Sequence, residues 1–300
     1  MIPEEQGFLL LTSHLGNPAR YPLTVAQFRT LAGRVSKMER PKEDRILEAS
    51  DLMRLGYEEQ MALRIIRLLE DRLELSRYVQ RGNRQHCIPI TRVSEAYPLT
   101  VRKKLGLDAP GCLWAKGNPE LLQKPAVSLV GSRDIRRDNR DFAALVGAEA
   151  ARQGYVLVSG NARGADRTAQ DACLEQGGSV VSVVADELQK QPENSHILYL
   201  SEEGYDSPFS SQRALSRNRV IHCLGSLTFV AQSNLGRGGT WDGTVKNLRN
   251  RWSPVFCCPD GSQGIRGLVQ MGAVEAEPNQ LADFAQLQNF ETEMRMEEFL

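Results

Sequence analysis

Ala126-Val127-Ser128-Leu129-Val130-Gly131-Ser132-Arg133 is the stretch that decides the fold, a short apolar run that breaks into Gly-Ser-Arg. Val127, Leu129 and Val130 are residue types that fill a strand buried on both faces, and Lys124-Pro125 marks its entry. Gly131 removes a side chain where backbone must come close to something, and a helical pattern follows from about Asn139 to Gln153. The turn therefore faces a helix N-terminus with unpaired N–H groups, and Arg133 adds a planar fork suited to phosphate. On this segment alone two readings stay open: a phosphate cradle, or a tight strand-to-helix turn carrying a surface arginine.

Downstream, short apolar runs alternate with helical patterns. Strands are expected near 126–131, 155–159, 179–184, 197–201, 226–231 and 254–258, and helices near 139–153, 165–176, 212–224 and 241–251. This alternation predicts the α/β class, a Rossmann-like doubly wound, mostly parallel sheet, in which loops after the strands meet at one edge. Upstream, the chain reads as a smaller helical N-terminal domain. Thr24 is placed to cap a helix with Val25, Phe28, Leu31 and Val35 on one face, and one longer helix is expected from Tyr57 to Tyr78, striped by Met61, Ile65, Leu68, Leu69 and Leu73. Arg81-Gly82-Asn83-Arg84 reads as the break between domains. The expected division is 1–87 helical, 88–278 Rossmann-like, and 279–300 a short C-terminal helix with an acidic tail outside the core.

The 300 residues, 41% of them hydrophobic, suffice for two cores. Lysine plus arginine equals aspartate plus glutamate at 37 each, so no global field gathers nucleic acid or anionic membrane, and an anion site must be built locally. Apolar runs such as Gly225 to Ala231 are too short to span a bilayer, and the start Met1-Ile2-Pro3-Glu4-Glu5 lacks the basic residues of a secretory signal. A cytoplasmic protein with no membrane contact is expected. Cys87, Cys112, Cys173, Cys223, Cys257 and Cys258 form no CxxC pair and read as buried free thiols, and the four histidines show no ligand spacing. No metal, no cofactor and no catalytic grouping is expected: there is no triad spacing and no Gly-Lys-Ser/Thr phosphate loop.

Three loops repeat one design of glycine, cation and helix start. The first is Gly131-Ser132-Arg133. The second, Ser159-Gly160-Asn161-Ala162-Arg163-Gly164-Ala165-Asp166, brackets Arg163 with glycines, and Asp166 reads as the N-cap of the next helix or as an acceptor for a ribose hydroxyl. The third, Gly236-Arg237-Gly238-Gly239-Thr240-Trp241-Asp242-Gly243, opens a helix with Lys246 one turn in. Between them a helix beginning around Arg213 carries Arg217-Asn218-Arg219, of which at least one arginine should face the shared edge; pairing with Glu202 or Asp206 is the structural alternative. His222 reads as a core histidine. Three such loops at one sheet edge predict an anion-binding cleft.

The ordered motifs resemble the DNA-processing protein A (DprA, or Smf) family, within the SLOG set of Rossmann-like nucleotide-binding domains. They are Trp114-Ala115-Lys116-Gly117, Val130-Gly131-Ser132-Arg133, Ser159-Gly160-x-Ala162-Arg163-Gly164-x-Asp166, Ser201-Glu202, Arg217-Asn218-Arg219-Val220-Ile221, and Gly264-x-x-Gly267-Leu268-Val269 with Gly272-Ala273. The resemblance implies a domain that dimerises, binds single-stranded DNA through basic residues of this pocket, and helps load a RecA-type recombinase in natural transformation. Arg133, Arg163, Arg217 and Arg219 fall on the family's basic positions. Leu215-Ser216 stands where the family has Phe-Pro, Gly238-Gly239-Thr240-Trp241 replaces its Ser-Gly-Ser-Leu, and no winged-helix pattern follows residue 275.

The third loop also resembles the Pro-Gly-Gly-x-Gly-Thr loop of the superfamily's phosphoribohydrolases, which cleave nucleoside monophosphates with a glutamate three residues past the threonine; here that position is Gly243, beside Asp242. A third alternative is a sensor of a small nucleotide in phage defence. The leading expectation is a non-catalytic single-stranded DNA binder. Its phosphate contacts come from Arg133, Arg163, Arg213, Arg217, Arg219 and Lys246, its backbone is fixed by the glycine loops, and Trp241 is the best base-stacking candidate.

Overall fold

The structure is a computed structural model that describes residues 1–38 and 47–289. Its described residues form two compact units, Met1–Ala115 with Glu202–Ser207, and Lys116–Ser201 with Pro208 onward. The sequence expectation had divided the chain after residue 87; contact density divides it after Ala115 and returns six residues of the later chain to the first unit.

The first unit carries α1 (Pro3–Thr12), α2 (Val25–Val35), α3 (Ala49–Arg54), α4 (Glu59–Glu70), α5 (Arg72–Arg84), β1 (Cys87–Thr91) and α6 (Leu99–Leu105), and ends in the first residues of β2 (Cys112–Gly117). Thr24 caps α2 as expected. Its hydroxyl accepts from the Gln27 N–H at 3.3 Å while the Gln27 side chain accepts from the Thr24 N–H at 3.0 Å. The apolar stripe of α2 is narrower than expected: Phe28 and Leu31 are buried, but Val25 and Val35 are exposed.

The long helix expected from Tyr57 to Tyr78 is two helices, broken at Asp71. The break turns Leu73 out into solvent while Ile65 and Leu68 join Leu11, Phe28, Leu31 and Leu52 in the core. Asp71 accepts from Arg20 Nε at 2.9 Å. The buried Arg20 spends its other donors on the carbonyls of Ser13 (2.5 Å), Leu10 (2.6 Å) and Leu68 (3.0 Å), so one guanidinium satisfies the carboxyl ends of α1 and α4.

Gly82, expected in a domain break, lies inside α5. A side chain there would run into Trp114, Tyr205 and the Cys87 carbonyl. Around it Tyr78 and Tyr205 stack at 4.6 Å with Trp114 edge-on, Tyr78 donates to Asp206 at 2.5 Å, and Tyr205 donates to the Tyr78 carbonyl at 3.0 Å. That cluster is what holds residues 202–207 in the first unit.

The second unit carries β3 (Ala126–Val130), α7 (Arg137–Arg152), β4 (Val156–Ser159), α8 (Ala165–Glu175), β5 (Ser179–Val183), β6 (Ile197–Ser201), α9 (Ser211–Ser216), α10 (Asn218–Leu224), β7 (Thr228–Val230), α11 (Gly239–Asn250), β8 (Val255–Cys257), α12 (Gln263–Val269) and β9 (Val274–Glu275). The seven strands are parallel in the order β6-β5-β4-β3-β7-β8-β9, in register Ser128↔Val158 on one side of β3 and Ser128↔Thr228 on the other. This is the Rossmann-like doubly wound sheet that the sequence predicted, with near-continuous apolar strands buried on both faces. The chain builds outward from β3 to β6 and then crosses to β7, so the order reverses between β3 and β7. Ligands of such sheets bind at that reversal, beyond the carboxyl ends of the strands.

One expected helix, 212–224, is again two, parted at Arg217. The C-terminal segment also differs from expectation. Leu281, Phe284 and Leu287 are buried, Phe284 lies 5.0 Å from the Phe229 ring, and its N–H donates to Gln153, so this segment belongs to the core. The acidic stretch Glu291 to Glu298 lies outside the described residues.

All six cysteines are buried and free, and burial pushes their thiols up where a shift is resolved, that of Cys173 to about 11. Among the described residues no helix is long and apolar enough to cross a membrane.

Replacing Arg20 by methionine keeps the bulk but strands three carbonyls. The expected cost is about 3 kcal/mol, read as an earlier transition in urea unfolding of the full chain. An unchanged midpoint would show that water replaces the guanidinium without loss.

Candidate functional site

At the reversal between β3 and β7 lies a cavity of about 330 Å³. Its walls are the loop after β3 (Gly131, Ser132, Arg133), the loop after β7 (Gln232 to Asn234, then Arg237 to Thr240), and Ala214, Arg217 and Asn218 from the α9–α10 break. A second hollow shares Arg133, Ala162, Ala214 and Arg217 with the first and adds Gly160, Arg163, Asp186 and Phe209. A third, between the first turns of α7 and α8, shares Arg133 and Arg163 with the second. Arg133 is the one residue common to all three.

The floor is set by Arg217. Its guanidinium is buried, donates to the Gly160 carbonyl at 3.0 Å and lies 3.8 Å from the Asp166 carboxylate. Gly160 is required here, because a Cβ would occupy the space of the guanidinium itself. Asp166 is not the cap of α8, as the sequence suggested; Gly164 takes that place. The Asp166 carboxylate sits inside the first turn and accepts from the Ala162 N–H at 3.2 Å. Burial is the largest influence on this carboxyl and raises it, while Arg217, the N–H groups of Ala162 and Gly160, and the buried Ser159 hydroxyl pull it partly back.

The first loop is braced from two sides. Gln232 donates to the Asp134 carbonyl at 3.0 Å and accepts from the Arg136 N–H at 2.9 Å. Asn139 donates to the Ala231 carbonyl and to Asp260, both at 2.7 Å. Asp260, whose side chain is 4% exposed, also accepts from the Ser262 N–H at 2.8 Å and pairs with Arg136. Burial works against the Asp260 charge, but the Ser262, Asn139 and Arg136 contacts outweigh it and hold the carboxyl below its usual value.

The candidate residues divide by what already occupies them. Arg213 is buried, and its guanidinium donates to the carbonyls of Ala185 (2.8 Å) and Pro208 (2.6 Å) and to the Ser201 hydroxyl (2.9 Å); it lines none of the three hollows. Arg219 is half-buried and Lys246 exposed, and neither lines a hollow. Arg163 reaches Asp134 at 2.6 Å, but both side chains are almost fully exposed, a pair that solvent screens and a ligand can open.

Arg133 and Arg237 line the cleft and have no carboxylate within ion-pair distance among the described residues. Asn218 donates to the Gly239 carbonyl at 2.9 Å and so fixes the start of α11, where Gly238, Gly239 and Thr240 form the wall. Gly164 and the first turn of α8 line the third hollow.

Trp241, expected as the stacking residue, packs against Gly267 instead. The exposed aromatic at the cleft is Phe209, with the Arg133 guanidinium 5.8 Å from its ring centroid. Sequence reasoning missed it. A lone aromatic in the Ser-Pro-Phe-Ser loop before α9 was the available signal.

A parallel doubly wound sheet with a cleft at its reversal places this unit in the Rossmann-like class. Over residues 89–286 the chain matches the family model of DNA recombination-mediator protein A, and it belongs to that family. It is 31% identical over 195 residues to DNA processing protein DprA of Streptococcus pneumoniae, covering 59% of this chain and 68% of that one. It is 25% identical over 254 residues to Protein Smf of Escherichia coli, covering 79% and 66%. In fold it is similar to the X-ray structure of DprA from Streptococcus pneumoniae, with a TM-score of 0.69, 23% identity, and coverage of 94% and 96%. It is also similar in fold to DNA processing protein A from Helicobacter pylori, a structure described for its single-stranded DNA binding mode (TM-score 0.54, 22% identity, coverage 70% and 96%).

The Asp260 brace makes a pH prediction. Its folded pKa is depressed, so its stabilisation is present above the unfolded value and is lost as pH falls through the folded one, below about pH 4. Asp260→Asn should cost about 2 kcal/mol at neutral pH and show a flatter acid limb, the two curves converging below that window in pH-dependent denaturation. Parallel curves would remove the carboxylate's role.

Proposed function

We propose that the cleft binds the sugar-phosphate backbone of single-stranded DNA and that the chain acts in DNA processing and recombination. The observation that carries this reading is the pair Arg133 and Arg237: cations on the wall of one cleft, without acidic partners among the described residues, flanking loop amides at the starts of α8 and α11. Free cations beside backbone donors suit an anion, and a cleft that adjoins a second hollow through four shared residues suits a polymer better than one mononucleotide. Phe209 supplies the base-stacking face, and its exposure keeps it open to any base. With the family resemblance, the reading extends to a homodimer that hands single-stranded DNA to a recombinase of the RecA class.

The nucleotide-hydrolase alternative is disfavoured by one position. Gly243 stands where that reaction needs a glutamate, and a Cβ there would come within 3.1 Å of His222 Nε2 and 3.3 Å of Asn218 Cβ. Asp242 next to it is exposed and lines none of the three hollows.

Calorimetric titration with oligo-dT should give an affinity that falls linearly on a log–log salt plot. Arg133→Ala and Arg237→Ala should each make that slope shallower by about 0.7, whereas Phe209→Ala should cost about 1–3 kcal/mol with the slope unchanged. Salt-independent binding, or a mononucleotide binding as tightly as oligo-dT, would replace this reading with the nucleotide sensor. Release of free base from a nucleoside monophosphate would replace it with the hydrolase.

A further inference from the structure

Beside the cleft, the third hollow is walled by the first turns of two tightly packed helices. Five arginines line it: Arg133 from the loop, Arg136 and Arg140 at the start of α7, and Arg163 and Arg167 at the start of α8. Asp134 and Asp171 are the acidic residues there. Arg136 is committed to Asp260 and Asn139, and Arg163 to Asp134. Arg140 and Arg167 are exposed and have no carboxylate within ion-pair distance among the described residues. Two uncompensated guanidiniums facing one groove repel each other unless an anion lies between them.

The geometry of the backbone suits an extended anion. Arg136 precedes α7 and Arg140 lies in its first turn; Arg163 likewise precedes α8 and Arg167 lies in its first turn, and all four line the same groove. One turn of helix advances about 5.4 Å along its axis, comparable to the separation of neighbouring phosphates in an extended strand. Arg133 and Arg163 belong to this groove and to the cleft at once, so a chain of phosphates passing Arg133 reaches Arg140 and Arg167 next.

Resting on the reading that the cleft binds single-stranded DNA, we infer that the strand leaves the cleft past Arg133 and runs along the α7–α8 groove, where Arg140 and Arg167 each hold a phosphate. These two residues contact no base and contribute no sequence preference. They lengthen the bound site, so their effect is confined to strands long enough to reach them.

The test compares the full-length wild type with an Arg140→Glu/Arg167→Glu variant, using oligo-dT of about 4 and about 16 nucleotides. On the long strand the variant's log–log salt slope should be shallower by about 1.4, two phosphates at about 0.7 each. Between about 50 and 200 mM salt the wild type should then lose roughly sevenfold more affinity than the variant. On the short strand the two proteins should bind alike, which also shows the variant's cleft to be intact. Arg140→Lys/Arg167→Lys should retain the long-strand slope, since charge is what counts. Equal slopes on the long strand, or equal losses on both lengths, overturn the groove as the path while leaving the cleft reading in place. A wild type that binds neither length overturns both.

Discussion

The cleft depends on one buried guanidinium. Arg217 occupies the junction at which α9 stops and α10 starts, and it holds the β4 loop by the Gly160 carbonyl and the first turn of α8 through Asp166. Taking a charge out of water is costly unless partners surround it, and here the missing Cβ of Gly160 gives the guanidinium its room. Two segments from separate parts of the sequence, the β4–α8 connection and the α9–α10 junction, are thereby tied together. The wall that Arg217 lends to both of the first two hollows is a consequence of that packing rather than of any one loop.

Arginine does two separate jobs in this unit, and burial separates them. Arg213 and Arg217 are buried and held by carbonyls, a hydroxyl and a carboxylate, as struts in a polar interior. Arg133, Arg237, Arg140 and Arg167 stand at the rim without acidic partners among the described residues, and their charge is available to a ligand. A neutral chain can in this way gather guanidinium groups at one rim while a carboxylate such as Asp260 is spent on a brace.

Much of this was legible in the sequence. The strand-then-glycine pattern of residues 126–133 located β3, and its repetition located the sheet, because strands buried on both faces must be apolar throughout. The loops that meet at the cleft followed from the same rule. What was not legible came from tertiary partners. Asp71 splits a continuous helical pattern because Arg20 draws its carboxylate, Gly82 is an aromatic packing site that mimics a breaker, and Asp166 turns inward to Arg217 instead of capping. Arg217, Arg213 and Arg219 look equivalent in sequence, and only burial sets the first two apart from the third.

The excursion of residues 202–207 has a consequence for dissecting the chain. Because Tyr205 stacks in the cluster of Tyr78 and Trp114, the polypeptide passes between the two units three times, after Ala115, after Ser201 and after Ser207. No single cut releases either unit whole: a fragment beginning at Lys116 carries Tyr205 and Asp206 away from their aromatic and hydroxyl partners, exposing a ring in the loop directly ahead of Phe209 and α9. Residues 202–207 take their packing from the first unit, so deleting that unit alters the segment that leads into Phe209 and α9.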